Sequence, residues 1–285
     1  MGAEQAICKQ GINMKITDLG DFNGPMLFFG GPYSNLQAFE ALKDAAEHLE
    51  IPAERMICTG DVVAYCADAE ATVQAVRAHG CTVVAGNCEK QLAEGSDDCA
   101  CGFEDNSQCS ILAQGWYAHA LNQVSDDSRE WMASCPDIAV FTKNGRRYAA
   151  IHGGVTNISR FIWPVSDEVA FIEEIKAVEA VVGTVDGIIA GHSGIPFVDF
   201  VGRKLWINAG AIGMPPNDGM VQTRFVVLDD EPDIYSLSYD FSAARQAMEN
   251  AGLTQGYHTA LSTGHWPSED TLPPVMRRSK PAGAC

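Results

Sequence analysis

The sequence predicts an α/β domain of two stacked sheets with helices outside, and three observations carry that expectation. In the first half, short apolar runs alternate with helix-period stretches, the pattern of β–α–β winding. In the second half, short apolar runs follow one another closely, as in a strand-rich sheet. The 285 residues are 46% hydrophobic, enough for a sizeable core. No apolar run approaches the ~18 residues of a membrane span.

Taken in order, residues 26–29 (MLFF) read as a strand that stops at Gly30, Gly31 and Pro32. Residues 36–49 read as a helix, with Leu36, Phe39, Ala46 and Leu49 on one face. A strand follows at 56–59, a helix at 69–79 and a strand at 82–85. Cys88 opens a further helix. The stretch 94–110 is rich in Gly, Ser, Asp and Cys and reads as an inserted loop. Residues 106–117 and 126–133 look helical, and 148–151 is a strand. Residues 167–182 form a helix with acidic first turns, where the helix dipole favours them. Strands at 188–190, 197–201, 205–207, 224–228 and 234–239 lie so close together that antiparallel pairing is expected. The body of the domain is expected over 21–251, with a flexible extension over 1–20 and a Pro-rich arm over 252–285.

The formal net charge is −18. Nucleic acids are polyanions held mainly by Lys and Arg, so general nucleic-acid binding is not expected, whereas a small anion in a local pocket is compatible. No membrane association is expected. Residues 1–20 lack the basic and apolar regions of an export signal, which points to the cytoplasm. There the ten cysteines are expected as thiols. Isolated ones such as Cys58, Cys81 and Cys135 read as small buried apolar residues.

Chemistry concentrates where strands end. "CTGDVV" offers Asp61, "VVAGNCEKQ" offers Asn87, Cys88 and Glu89, "AAIHGGV" offers His152, and "IIAGHSGIP" offers His192. Each follows an apolar run and contains glycine, which lets the chain turn tightly and the next side chain face a shared crevice. Singly, an Asp after Gly is a turn residue and a His is a packed or surface group. Together, a carboxylate, an amide and two imidazoles make a ligand set for a divalent ion such as Mn, Fe or Zn.

In that order, "GD … GNCE … HGG … GHSG … NAGAIGMPP" resembles the calcineurin-like metallophosphoesterase superfamily, above all its small prokaryotic phosphodiesterase-like branch. The resemblance implies a four-layer α/β/β/α sandwich with a two-metal site on the sheet rims. The family's motifs are D-x-H, GD, GNH followed by Asp or Glu, a lone His, and GHxH. By that resemblance the second-metal ligands fall on Asp61, Asn87, His152 and His192, and all four are present. The first-metal positions fall on Gly31, Tyr33, the shared Asp61 and Gly194, so every ligand private to that site is missing. The catalytic His of GNH is Cys88. The strand, the turn, Asn35 and the helix start around "GGPYSNLQAF" persist without the metal-binding groups. This split implies one retained ion, or a second ion held by other groups.

The expected function is therefore a divergent metal-dependent phosphoesterase acting on a small phosphomonoester or phosphodiester. A binding or sensor protein of the same fold is the alternative. Asn87, Cys88 and Arg160 are the candidate catalytic residues. Arg160 is placed to clamp phosphate bidentately, or else to form an ordinary ion pair. Tyr33 either donates its hydroxyl to substrate or fills vacated volume. Cys88 with Cys99, Cys101 and Cys109 offers a second metal or redox cluster, although the spacing lacks paired C-x-x-C knuckles.

Overall fold

The computed structural model describes residues 14–278. The first half begins with β1 (Ile16–Phe22) and then alternates as expected: β2 (Met26–Phe29), α1 (Leu36–His48), β3 (Met56–Cys58), α2 (Ala69–His79), β4 (Thr82–Val83) and α3 (Asn87–Glu94). Helices α4 (Gln108–Gln123) and α5 (Asp126–Ser134) follow the Cys-rich loop, then β5 (Ile138–Lys143), β6 (Arg146–Ala150) and α6 (Glu168–Val182). Strands β7 (Gly187–Ala190), β8 (Phe197–Val201), β9 (Lys204–Asn208), β10 (Thr223–Leu228) and β11 (Pro232–Leu237) precede α7 (Phe241–Asn250) and α8 (Tyr257–Thr263).

One sheet has the order β11-β10-β2-β3-β4 and the other β1-β5-β6-β7-β9-β8. β2, β3 and β4 are mutually parallel, as are β6, β7 and β9. In β2 the alternation is explicit. Met26 and Phe28 face the gap between the sheets with Phe141, Ile189, Ile207 and Val226. Leu27 and Phe29 face outward onto α1, through Phe39 and Leu42, and onto α2, through Val73 and Val76. On the far side, Phe171, Ile175 and Val178 of α6 cover Val140, Ile188 and Trp206. The result is the four-layer α/β/β/α sandwich. Because β2 is buried on both faces, it reads as a continuous apolar run.

Three expectations need correction. The second-half strands are not simply antiparallel neighbours. β8 pairs β9 and β10 pairs β11 in that way, but β7 runs parallel to β9, and β9 and β10 belong to different sheets. Close spacing in sequence does not forbid a crossover between sheets.

The extension placed over 1–20 includes an ordered element. Ile16–Phe22 is an edge strand parallel to β5, hidden from a periodicity reading by its polar residues and by a register shift between Asp18 and Asp21. Residues 1–13 lie outside the described residues, as do 279–285 of the arm.

The arm is not merely extended. It carries α8 and then returns to the sheet rim, where Trp266 donates its indole N–H to the Pro215 carbonyl (2.7 Å). No described helix is long and apolar enough to cross a membrane.

Candidate metal centre

Four side chains meet at the C-terminal ends of strands, two from each sheet. Asp61 follows β3 and Asn87 is the first residue of α3 after β4, while His152 follows β6 and His192 follows β7. Asp61, Asn87 and His152 are buried and His192 is half-buried. Asp61 (φ +56°) and His192 (φ +62°) both adopt the left-handed conformation. That conformation costs a side-chain-bearing residue about 1–3 kcal/mol and persists only where surroundings enforce it.

His152 Nδ1 lies 2.6 Å from the Thr59 carbonyl, which can only accept, so Nδ1 carries a proton and, in the neutral ring, Nε2 offers the lone pair. Around that Nε2 stand Asn87 Oδ1 at 3.0 Å, His192 Nδ1 at 2.9 Å and Asp61 Oδ2 at 3.5 Å. The Asn87 amide cannot be turned about to bring a donor there, because its Nδ2 donates to the Cys99 carbonyl at 2.8 Å. An amide oxygen, a carboxylate oxygen and two imidazole nitrogens thus converge. Burial, and next the neighbouring His152, hold His192 well below the usual histidine range, which favours the neutral imidazole that binds a cation. The buried Asp61 Oδ1 also lacks a hydrogen-bond partner.

Donors bound to one ion at ~2.0–2.2 Å stand about 3.0 Å apart at right angles and about 3.5 Å apart at tetrahedral angles. The observed separations cover that span. The ligating atoms of Asp61, His152 and His192 all lie within 4.8 Å of one another. The residues present fit a divalent cation.

The sequence matches the calcineurin-like phosphoesterase superfamily domain over residues 34–231. This chain belongs to that superfamily. It is 25% identical over 253 residues to an uncharacterised protein of Methanocaldococcus jannaschii, covering 81% of this chain and 95% of that one. Among solved structures it is similar to a metallophosphoesterase from Sphaerobacter thermophilus, with TM-score 0.65 and 18% identity, covering 85% of this chain and all of the other. A hypothetical protein from Pyrococcus horikoshii aligns with TM-score 0.71 and 14% identity, over 85% of this chain and 99% of that one. At these identities the solved structures speak to the fold alone.

Within this calcineurin-like domain, Tyr33 occupies the space beside Gly31 and Gly194, the positions where the resemblance places first-ion ligands. A Cβ built on Gly31 would stand 2.3–2.7 Å from the Tyr33 ring, and one on Gly194 would stand 3.5 Å from its hydroxyl. Aspartate at 31 is thus incompatible with the tyrosine as placed. Burial, and then the Asp61 carboxylate, hold the Tyr33 phenol well above its ordinary pKa, so it stays a neutral donor.

Two supports were not assigned roles by the sequence. Glu89 is fully buried and accepts the N–H groups of Asp61, Val62 and Gly86, each at 2.8 Å. It ties the Asp61 turn to the start of α3. Burial, with Asp61 adding to it, raises the Glu89 pKa, and the Gly86 and Asp61 N–H donors act against that rise. Gly86 must be glycine, since its Cβ would lie 2.6 Å from Asp61 Oδ1. Asn208, in the "NAGAIGMPP" segment, donates to the Gly191 carbonyl (2.8 Å) and to Ser193 Oγ (3.0 Å), and so holds the His192 turn from both sides.

Other expectations change. Of the two readings of Arg160, the structure shows the ion pair. Its guanidinium bonds Glu173 (2.7 Å) and the fully buried Glu174 (2.8 Å). Glu174 also accepts Val155 N–H (2.7 Å) and Thr156 N–H (3.2 Å), so the pair braces the loop after His152. Arg160→Ala is expected to lower unfolding free energy by about 1–3 kcal/mol and to leave anion binding unchanged. Urea unfolding beside a phosphate titration checks this, and weakened phosphate binding at unaltered stability would restore the clamp.

The Cys₄ cluster also does not assemble. Cys99 and Cys101 are joined as a disulfide, and Cys88 and Cys109 are free buried thiols. Among the described residues, the one group of acidic, thiol and imidazole side chains gathered closely enough for an ion is Asp61, His152 and His192. The Cys88 sulfur lies 3.5 Å from Asn87 Nδ2. Burial first, then Asp61 and Glu89, push its thiol well up, which opposes a thiolate nucleophile.

Proposed function

We propose that this chain is a metal-dependent phosphoesterase working with one divalent ion, held by Asp61, Asn87, His152 and His192. The observation that carries the reading is the convergence of a carboxylate, an amide oxygen and two imidazole nitrogens around His152 Nε2. Imidazole, amide and carboxylate donors together suit Mn, Fe or Zn. When bound, such an ion polarises a phosphoryl oxygen and lowers the pKa of its water.

The chain's own groups supply the rest. The Thr59 carbonyl fixes the His152 tautomer, and Glu89 and Asn208 fix the turns that carry Asp61 and His192. Cys88 takes the family's catalytic-histidine position as a protonated thiol, suited to donating a hydrogen rather than attacking. Tyr33, also protonated, borders the adjoining cleft as a donor. The substrate is a small phosphomonoester or phosphodiester.

One observation favours a second reading, a binding or sensor protein: Tyr33 fills the volume where the family keeps its first ion. Aryl phosphate hydrolysis by Mn²⁺-loaded protein decides between them. The enzyme reading expects turnover that falls at least ~100-fold in Asn87→Ala. Ligand-dependent thermal shifts without turnover on a broad phosphoester panel would instead identify the binder.

A further inference from the structure

A cleft opens beside His192, on the Tyr33 side of the metal centre. Tyr33, Phe161, Trp163, Tyr257 and Trp266 form much of its wall. Phe161 and Trp163 stack in parallel (5.2 Å, 2° between planes), and Phe161 also packs on the His192 ring (4.4 Å between centroids). The wall is therefore continuous with the ligand set. In a chain of net charge −18, the described residues lining this cleft include no Asp, Glu, Lys or Arg. The inner part is small, about 50 Å³.

Charge and shape agree. A divalent ion bound by the Asp61 carboxylate and three neutral ligands leaves at most one net positive charge, which the buried Glu89 beside Asp61 offsets further. A phosphodiester, with one negative charge, adds the least negative charge to such a site. A phosphomonoester dianion or a polyphosphate leaves excess negative charge in a buried site, and Arg160 is engaged elsewhere. Any further ionic group on the substrate would enter a cleft with no side-chain charge to meet it.

We infer that the cleft binds the small, uncharged apolar ester group of a monoanionic phosphodiester, such as the edge of a single ring or a short alkyl chain. This rests on the phosphoesterase reading and narrows its substrate class. Trp266, brought in by the C-terminal arm, is a specificity residue and not part of the ion site.

The test uses phosphinates, which are monoanionic and carry no ester bond, so binding is read without turnover. Calorimetry on the Mn²⁺-loaded protein would compare methyl(phenyl)phosphinate, dimethylphosphinate and methyl(4-carboxyphenyl)phosphinate. The phenyl compound is expected to bind at least ~10-fold more tightly than the dimethyl compound. The added carboxylate should abolish that gain, and Trp266→Ala should remove most of it. Should Trp266→Ala fail to fold, Thr271→Trp, which narrows the cleft, must weaken the phenyl compound selectively. Equal binding of all three compounds, or a preference for the carboxylated one, overturns the inference. The expected preference without hydrolysis of any ester would leave the cleft assignment standing and refute the enzyme. Hydrolysis of esters without the preference would do the reverse.

Discussion

Glu89→Ala is expected to lower the unfolding free energy of the metal-free protein by about 3 kcal/mol or more. The reason is local. One fully buried carboxylate satisfies three backbone donors, on Asp61, Val62 and Gly86. A buried donor left unpaired costs about 1–3 kcal/mol, and here three would lose their acceptor together. Asp61 also sits at φ +56°, a conformation the surroundings must enforce. Loss of Glu89 therefore weakens ion binding as well as stability. Glu89→Gln keeps the shape and one acceptor oxygen, so its cost should be smaller. Urea unfolding of the three proteins checks this. A Glu89→Ala loss below about 1 kcal/mol would mean that water replaces the carboxylate at no net cost.

His152→Ala is expected to weaken divalent-ion binding by at least about 100-fold, beyond the range usual for removing an outer supporting group. Its effect on the metal-free fold should be modest. Truncation loses the bond of Nδ1 to the Thr59 carbonyl and that between Nε2 and His192, each worth about 0.5–1.5 kcal/mol net. An ion that binds only the native state stabilises it by RT ln(1 + [L]/Kd). Added Mn²⁺ should thus raise the unfolding temperature of the wild type and leave His152→Ala unmoved. His119→Ala, which removes a bond to the Ala67 carbonyl away from the ligand set, should respond like the wild type. Equal responses in all three proteins would place the ion elsewhere.

Much of this site is legible in the sequence because its proposed ligands sit just past strand ends. β2 announces itself by Met26 and Phe28 facing one layer while Leu27 and Phe29 face another. Asp61, Asn87, His152 and His192 each follow an apolar run and a glycine or a strand end, and parallel strands bring such positions to one rim.

What was missed has physical reasons. β1 is a polar edge strand, so burial leaves little periodicity in it. β5 had a signal that was passed over. Asn144 and Gly145, both at positive φ, form the two-residue turn joining it to β6. The ion pair left open for Arg160 has partners the sequence does not single out, Glu173 and Glu174, on a helix whose acidic residues read as serving its dipole. Trp266 as a wall of the cleft, and the choice between the two readings of Tyr33, depend on contacts between distant segments that no local pattern encodes.

Anomalous diffraction at the manganese edge, from crystals grown with Mn²⁺, tests the central claim most directly. One strong peak is expected, bounded by Asp61 Oδ2, Asn87 Oδ1, His152 Nε2 and His192 Nδ1. A peak of equal height beside Gly31, Tyr33 and Gly194, or no peak among those four donor atoms, would contradict a single-ion centre.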